Sequence, residues 1–376
     1  MTATRLLLFL LLTTSCNVFG AAAQAQTPLG DAATRVASSL VEGNVSLQHY
    51  KRSLALEGLL RWAQAAGDEP HVQSVFKQAA EAGITPGSDG SFRRGPFNCL
   101  VFWLYEVSGD ENWLPGFLQQ TKKYYRTVHR GCEGAIEHPR GEQRGGGNSM
   151  LIDALQDYSS RMAMLGRLTE DEAYFVEAVT QHRIYRDIVR DPTTGLWCQG
   201  RGWGEDPTAL SPGAWSRGHG WLIRGMVDTL LLMPPQSSEA EELRGYLREL
   251  ADALIRVQQA DGMWHCLLNR PASESPAETS GTALIAGNLA IAVAENFLEG
   301  DQYSHAAKRA FAALPRYVDQ DGVVLSVSPG PGPLSEEEPW LVQEFPAGDQ
   351  HGPFAILFAA LGEQRLSDAE KQPLEN

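Results

Sequence analysis

One pattern recurs along the chain: an apolar helical run, a short polar turn, then an amphipathic run charged on one face. It is clearest where Leu100 to Glu106 leads through Ser108-Gly109-Asp110 to Trp113, Phe117 and Lys122. Met162 to Leu168 turns at Thr169-Glu170-Asp171 towards Tyr174, Phe175 and Val179, and Leu284 to Leu298 turns at Gly300-Asp301 towards Tyr303, Ala307 and Phe311. Fainter copies turn at Gly67-Asp68, at Pro234 to Ser238 and near Gly362. The turn residues follow capping logic, with glycine ending one helix in the left-handed conformation and Asp, Ser or Thr capping the next. Turns separated by roughly 40 to 70 residues suit helix pairs rather than small solenoid units.

The runs before the turns are mostly apolar and rich in alanine and glycine, the composition of buried helices. Those after them, such as Glu239 to Asp252 with Leu243, Leu247, Leu250 and Leu254 inward, read as outer helices. Six such pairs predict an all-α fold, a six-hairpin (α/α)6 barrel forming a single domain over residues 26–376. Asp31 to Glu42 is the first outer helix, expected to close the ring by pairing with the last inner helix, His351 to Leu361. An open solenoid is the alternative to closure. The connections are asymmetric. Turns after inner helices are short, whereas Gly83–Pro96, His138–Asn148, Gln199–Pro212, Asn269–Pro276 and Ser326–Gln350 all precede inner helices. They therefore gather at one end of the barrel, where binding and chemistry are expected.

Composition adds little to the fold but narrows the partners. The 376 residues are 43% hydrophobic and 20% charged, an ordinary globular balance, and the net charge is −15. That charge argues against nucleic acid or an anionic membrane as partner, but leaves open an anionic small substrate held by pocket arginines. Arg5, the apolar run Leu6 to Leu12 and Ala23-Gln24-Ala25 read as a cleavable leader over residues 1–25, so a secreted or periplasmic location is expected. Thr13-Thr14-Ser15-Cys16 is a poor lipoprotein box as the alternative. Cys99, Cys132, Cys198 and Cys266 then remain, allowing three pairings or buried free thiols, and their spacing matches no zinc site. Asn44-Val45-Ser46 is a glycosylation sequon, relevant only in a eukaryotic host.

Candidate chemistry clusters on the long-loop side. Trp215-Ser216-Arg217-Gly218-His219-Gly220-Trp221 alternates small residues with large polar and aromatic ones where a loop enters a helix. Tryptophan faces suit sugar rings and an arginine fork suits a carboxylate, with a helix cap and packing tryptophans as the bland alternative. Asp153 sits among Leu151, Ile152 and Leu155, where desolvation raises its pKa and makes it a candidate general acid. A helix N-terminal charge is its bland role. His138, His219, His265 and His351 fall on or beside the same end. Glu278-Thr279-Ser280-Gly281-Thr282 reads first as a capping segment. No metal-ligand spacing, phosphate loop, dinucleotide fingerprint or Gly-x-Ser-x-Gly elbow is present, so no metal or cofactor is expected.

Taken in order, these strings resemble the unsaturated glycuronyl hydrolases of glycoside hydrolase families 105 and 88. The likeness runs from Leu104-Tyr105-Glu106 with Gly109-Asp110, through Asp153 with Gly166, to Asp191-Pro192 and Thr194-Gly195-Leu196-Trp197. It continues through Trp215 to Trp221, Asp261-Gly262-Met263-Trp264, Glu278 to Ala283 and His351-Gly352. The resemblance implies a six-hairpin α/α barrel that removes the unsaturated uronic acid left by polysaccharide lyases. An aspartic acid protonates the C4=C5 enol ether, water adds at C5, and the hemiketal opens to release the sugar. Asp153 falls on the acid position, and His138, Trp215, Arg217 and Trp221 on substrate-contacting positions. Gln199 stands where a histidine is usual, His219 where asparagine is common, and Leu151 where tryptophan is common. A second aspartate usual before the second inner helix is replaced by Arg93-Arg94-Gly95-Pro96, which removes the expected partner for positioning water and suits a second anionic group instead. The expected site is thus Asp153 as acid, with His138, Gln199, Trp215, Arg217, His219, Trp221 and His351 around an anionic oligosaccharide. A sugar-binding protein on the same scaffold, a sugar epimerase, or a glycosidase using Asp157 as second carboxylate are the competing readings.

Overall fold

The computed structural model describes residues 27–42, 50–87, 99–138, 149–330, 341 and 343–371. The leader through residue 26, the sequon at Asn44 and the Arg93-Arg94-Gly95-Pro96 segment lie outside these residues. Twelve α-helices stand among the described residues, and they alternate between an inner and an outer ring. The inner helices are α2 (Tyr50–Ala66), α4 (Leu100–Ser108), α6 (Asp153–Thr169), α8 (Ser216–Leu232), α10 (Thr279–Ala294) and α12 (His351–Lys371). The outer ones are α1 (Pro28–Glu42), α3 (Glu69–Glu81), α5 (Leu114–Thr127), α7 (Ala173–Val189), α9 (Ser238–Val257) and α11 (Asp301–Ala313).

Capping residues set the short turns. Gly109 ends α4 at φ 66°, and the Asp110 carboxylate accepts from the Asn112 N–H at 3.0 Å. Ser237 caps α9 through the Ala240 N–H at 3.1 Å. α2 packs on α4 and α12, α10 packs on α8 and α12, and α6 packs on α8. Arg167 and Glu106, 2.9 Å apart, join α6 to α4, and the ring is closed. α1 lies on α12, as closure requires, with Thr27 Oγ1 donating to Glu363 at 2.6 Å. The turn expected near Gly362 is absent, because α12 runs unbroken from His351 to Lys371. Gly362 instead lets two inner helices touch: a Cβ there would lie 2.6 Å from the Gly287 carbonyl of α10.

The inner helices are less apolar than their composition suggests. Glu57 and Arg61 of α2 face Arg224 and Asp228 of α8 across the lumen, all four buried. Arg224 lies 4.6 Å above the Phe354 ring and Arg61 lies 3.9 Å above Trp103, so the lumen is filled by two ion pairs walled with aromatics. Cys99, Cys198 and Cys266 are free thiols, and the Cys132 side chain is not among those described. No helix among the described residues is long and apolar enough to cross a membrane.

Candidate active site

Every inner helix begins at the loop-rich end, so the first turns of α6, α8, α10 and α12 converge there. A two-residue antiparallel ladder pairs Met150 with Arg201 and Leu151 with Gly200, tying the loop before α6 to the one before α8. The Ile152 N–H extends it by donating to the Gln199 carbonyl at 3.1 Å. The ladder sets Asp153, the first residue of α6, beside Gln199, whose Nε2 donates to Asp153 Oδ1 at 3.2 Å. Gly218 closes the other side. A Cβ on it would come within 2.6 Å of Gln199 Oε1 and 3.2 Å of Asp153 Oδ1.

Asp153 is half-buried. Burial raises its pKa to about 6, against the opposing charge of Arg217 and the Gln199 hydrogen bond. Arg217 is therefore within electrostatic reach of the acid, but it is 2% exposed and does not open into the cleft. Its Nη1 donates to Ser280 Oγ at 3.1 Å and to the Ser328 carbonyl, and the Trp215 ring covers it at 4.3 Å. The backbone at Gly330 lies against Nη2.

The remaining expected residues divide between the cleft and its framework. His138 is half-buried, its ring 5.6 Å from Trp203, and Trp203 Nε1 donates to the Met150 carbonyl at 2.6 Å. Both therefore flank the ladder that carries Asp153. Trp215 packs with Cys266 and Leu267 and forms the wall behind Arg217. Trp221, one turn deeper in α8, stacks on Phe354 at 5.5 Å and belongs to the core rather than to an open sugar platform.

His219 differs from the expectation of substrate contact. Its Nδ1 pairs with the Trp215 carbonyl at 2.8 Å and its Nε2 accepts from the Trp197 N–H at 3.0 Å, so neither nitrogen is left for a ligand. Burial lowers its pKa to about 4, and the neutral ring staples two loops together. His351 likewise has both nitrogens engaged, by Asp349 and by Tyr50. His265 is held in its own loop by the Ser275 carbonyl at 2.6 Å. Asp157 is fully buried and pairs with Arg161 at 2.8 Å, so it is not a second carboxylate at the mouth. No three potential metal ligands converge among the described residues.

Two groups escaped the sequence reading. Glu278 was legible only as a cap, which it is for α10, accepting from the Ser280 and Gly281 N–H groups. It also accepts from Ser216 Oγ at 3.3 Å and the Ser328 N–H at 3.1 Å, joining three loops under Arg217. Tyr50 carried no signal at all, because a tyrosine opening an amphipathic helix is ordinary; its partner lies 301 residues away.

The comparisons with known proteins agree with this geometry. The chain is 26% identical over 290 residues to the unsaturated rhamnogalacturonyl hydrolase YesR of Bacillus subtilis (strain 168), covering 76% of this chain and 80% of that one. Its fold matches a possible GH105 member from Klebsiella pneumoniae at a TM-score of 0.78 and 20% identity, covering 91% of this chain and 94% of the other. It also matches, at 0.64 and 16%, the unsaturated glucuronyl hydrolase of Bacillus sp. GL1 that degrades glycosaminoglycan, covering 89% and 96%. At such identities these two structures establish the six-hairpin barrel alone. The family description Glycosyl Hydrolase Family 88 fits residues 32–361, nearly the whole described barrel, and the chain belongs to that family of glycoside hydrolases.

Proposed function

We propose that this glycoside hydrolase removes an unsaturated uronic acid from the non-reducing end of lyase-generated oligosaccharides. The observation that carries the reading is Asp153: a half-buried aspartic acid at the loop-rich end, lifted to about 6 by burial, with the neutral Gln199 amide as its side-chain hydrogen-bond partner among the described residues. Such a group keeps a proton at mildly acidic pH and can give it up, which is what protonation of C4 requires. Water adds at C5 of the resulting oxocarbenium ion, and the hemiketal opens. Arg217 tempers the acid, since its charge opposes the effect of burial. The anionic character of the ligand follows from this substrate class; the Arg217 guanidinium is buried, 3.9 Å from Glu278.

The test follows the ultraviolet absorbance of the conjugated double bond as pectic, ulvan-type and glycosaminoglycan lyase products are consumed. Wild type is expected to consume at least one of them, and Asp153→Asn to lose about 10³-fold in kcat. Decay that survives Asp153→Asn rejects the acid assignment, and binding without decay by wild type makes the protein a sugar binder. Export is part of the same reading and rests on Arg5, Leu6 to Leu12 and Ala23-Gln24-Ala25. N-terminal sequencing of the mature chain, expected to begin near residue 26, checks it.

A further inference from the structure

The amide of Gln199 meets the acid on one side and no polar partner on the other. Its backbone is fixed twice, the N–H donating to the Gly213 carbonyl at 3.1 Å and the carbonyl accepting from the Ile152 N–H at 3.1 Å. From that anchored position Nε2 donates to Asp153 Oδ1 at 3.2 Å. Gln199 is 1% exposed, so its amide acts on a ligand through Asp153 rather than by touching it. Its Oε1 is buried and, among the described residues, accepts no hydrogen bond. Gly218 shuts this oxygen in: a Cβ there would lie 2.6 Å from Oε1 and 3.2 Å from Asp153 Oδ1.

A buried carbonyl oxygen without a donor lowers folding stability. A methionine of similar length would avoid that loss, so folding alone does not account for an amide at this position. What the amide brings, and an apolar side chain lacks, is the N–H at Oδ1. That N–H decides where the proton of the acid sits. Oδ1 has a donor on it and Gly218 against it, whereas no other residue among those described bonds to Oδ2. In a neutral carboxyl the carbonyl oxygen is the better acceptor, so the amide keeps Oδ1 as the carbonyl and the proton goes to Oδ2.

We propose that Gln199 is a positioning residue for the acid, holding Asp153 Oδ1 as an acceptor so that the proton delivered to C4 is carried on Oδ2. This rests on the hydration reading of Asp153. In the step, Oδ2 gives its proton to C4 and the π electrons of C4=C5 form the new C–H bond. The charge left on the carboxylate meets an N–H already in place at Oδ1, so no group has to move to stabilise it. The water oxygen bonds to C5 and one of its protons returns to Oδ2, which restores the acid and adds one water in total. Among the described residues, three other charged or titratable groups face this carboxyl or its ladder. Arg217 of α8 keeps its charge throughout. Tyr185 of α7 donates to the Ile136 carbonyl at 2.7 Å, with its hydroxyl pushed far up by burial. Arg201 of the ladder pairs with Glu133 at 3.4 Å. None of the three titrates alongside Asp153.

The test compares wild type with Gln199→Met on the full chain, with Gln199→Leu as a second apolar replacement. In ¹³C-aspartate-labelled protein the Asp153 carboxyl is identified by its loss in Asp153→Asn and titrated by NMR. Burial raises this carboxyl while the Arg217 charge and the Gln199 hydrogen bond oppose it, so removing the bond is expected to move the midpoint up by about one unit. A downward shift means that Oε1 was accepting the acid's own proton, and an unmoved midpoint means that the amide is idle; either overturns the proposal. On the best lyase product, Gln199→Met is expected to lower kcat about 10–100-fold with KM within about threefold, the high-pH limb of kcat moving up with the NMR midpoint. Its unfolding midpoint is expected to be no lower than that of wild type, because the unpartnered oxygen is gone. A raised KM at unchanged kcat makes Gln199 a substrate contact, and a destabilised protein of full kcat makes it a structural one; both overturn the proposal. A wild type inactive on every unsaturated product overturns the hydration reading and this role with it, even where the NMR midpoint moves as expected.

Discussion

Two regions of the barrel bury carboxylates, and they do so in opposite ways. In the lumen, Glu57 and Asp228 meet Arg61 and Arg224, two acids against two bases with aromatic rings as walls. At the mouth, Asp153 has a neutral amide as its hydrogen-bond partner and a cation that acts at a distance through its field. Burial pushes the Glu57 carboxyl up despite its two arginines, but it is enclosed in the lumen and faces no substrate. Among the described residues the mouth carboxyl has no contacting counter-charge, and burial raises its pKa. The contrast teaches that partners and position, as well as burial, decide whether an interior acid is a brace or a proton donor.

The largest effect that probes this contrast comes from the lumen. Arg224→Ala strands Glu57 and Asp228 beside a lone Arg61, and denaturant unfolding is expected to show a loss of about 3–5 kcal/mol. A protein within about 1 kcal/mol of wild type would mean that the plug is filler, and the distinction would lapse. Next is Gly218→Ala. Its Cβ meets the far end of the Gln199 side chain, which can swing aside at little cost to folding but leaves Asp153. Activity is expected to fall about 10–100-fold with the unfolding midpoint nearly unchanged; unaltered kcat would show that the Gln199 contact is idle.

The smallest effect is the most diagnostic. The Asp153 pKa rises from its usual 3.8 to about 6 on folding, so between these values the folded protein holds a proton that the unfolded chain releases. Wild type therefore loses stability as pH climbs through this window and carries the whole cost above it. Asp153→Asn is expected to be more stable than wild type by about 1–3 kcal/mol at pH 7.5, the difference fading towards pH 4. Buried His182, His219 and His351, lowered to about 3, 4 and 3, weaken both proteins as pH falls below 6.5, and cancel from the comparison. A pH-independent difference between the two proteins would refute a proton held at residue 153.

Much of this was readable from the chain alone. Helix-pair periodicity, the glycine and aspartate turns and the placing of long loops specify the barrel and its loop-rich end, because each is a local property. Asp153 was readable for the same reason: its apolar neighbours are adjacent in sequence. Gly362 misled because a glycine that permits close helix contact and one that ends a helix look identical in a string. The lumen plug was hidden because Glu57 and Arg61 stand 167 residues from Arg224 and Asp228. His219 and His351 looked available for a ligand because their partners are a backbone carbonyl, a backbone N–H, a carboxylate and a phenol that only folding delivers.

The seating of α1 on α12 has a consequence for how the molecule comes into being. Of the described helices, the first in chain order packs most on the last, so the ring cannot close until that last helix has been made. A nascent chain halted before residue 351 holds five inner helices yet has no finished ring, and the leading helix remains without its berth until the final turn arrives.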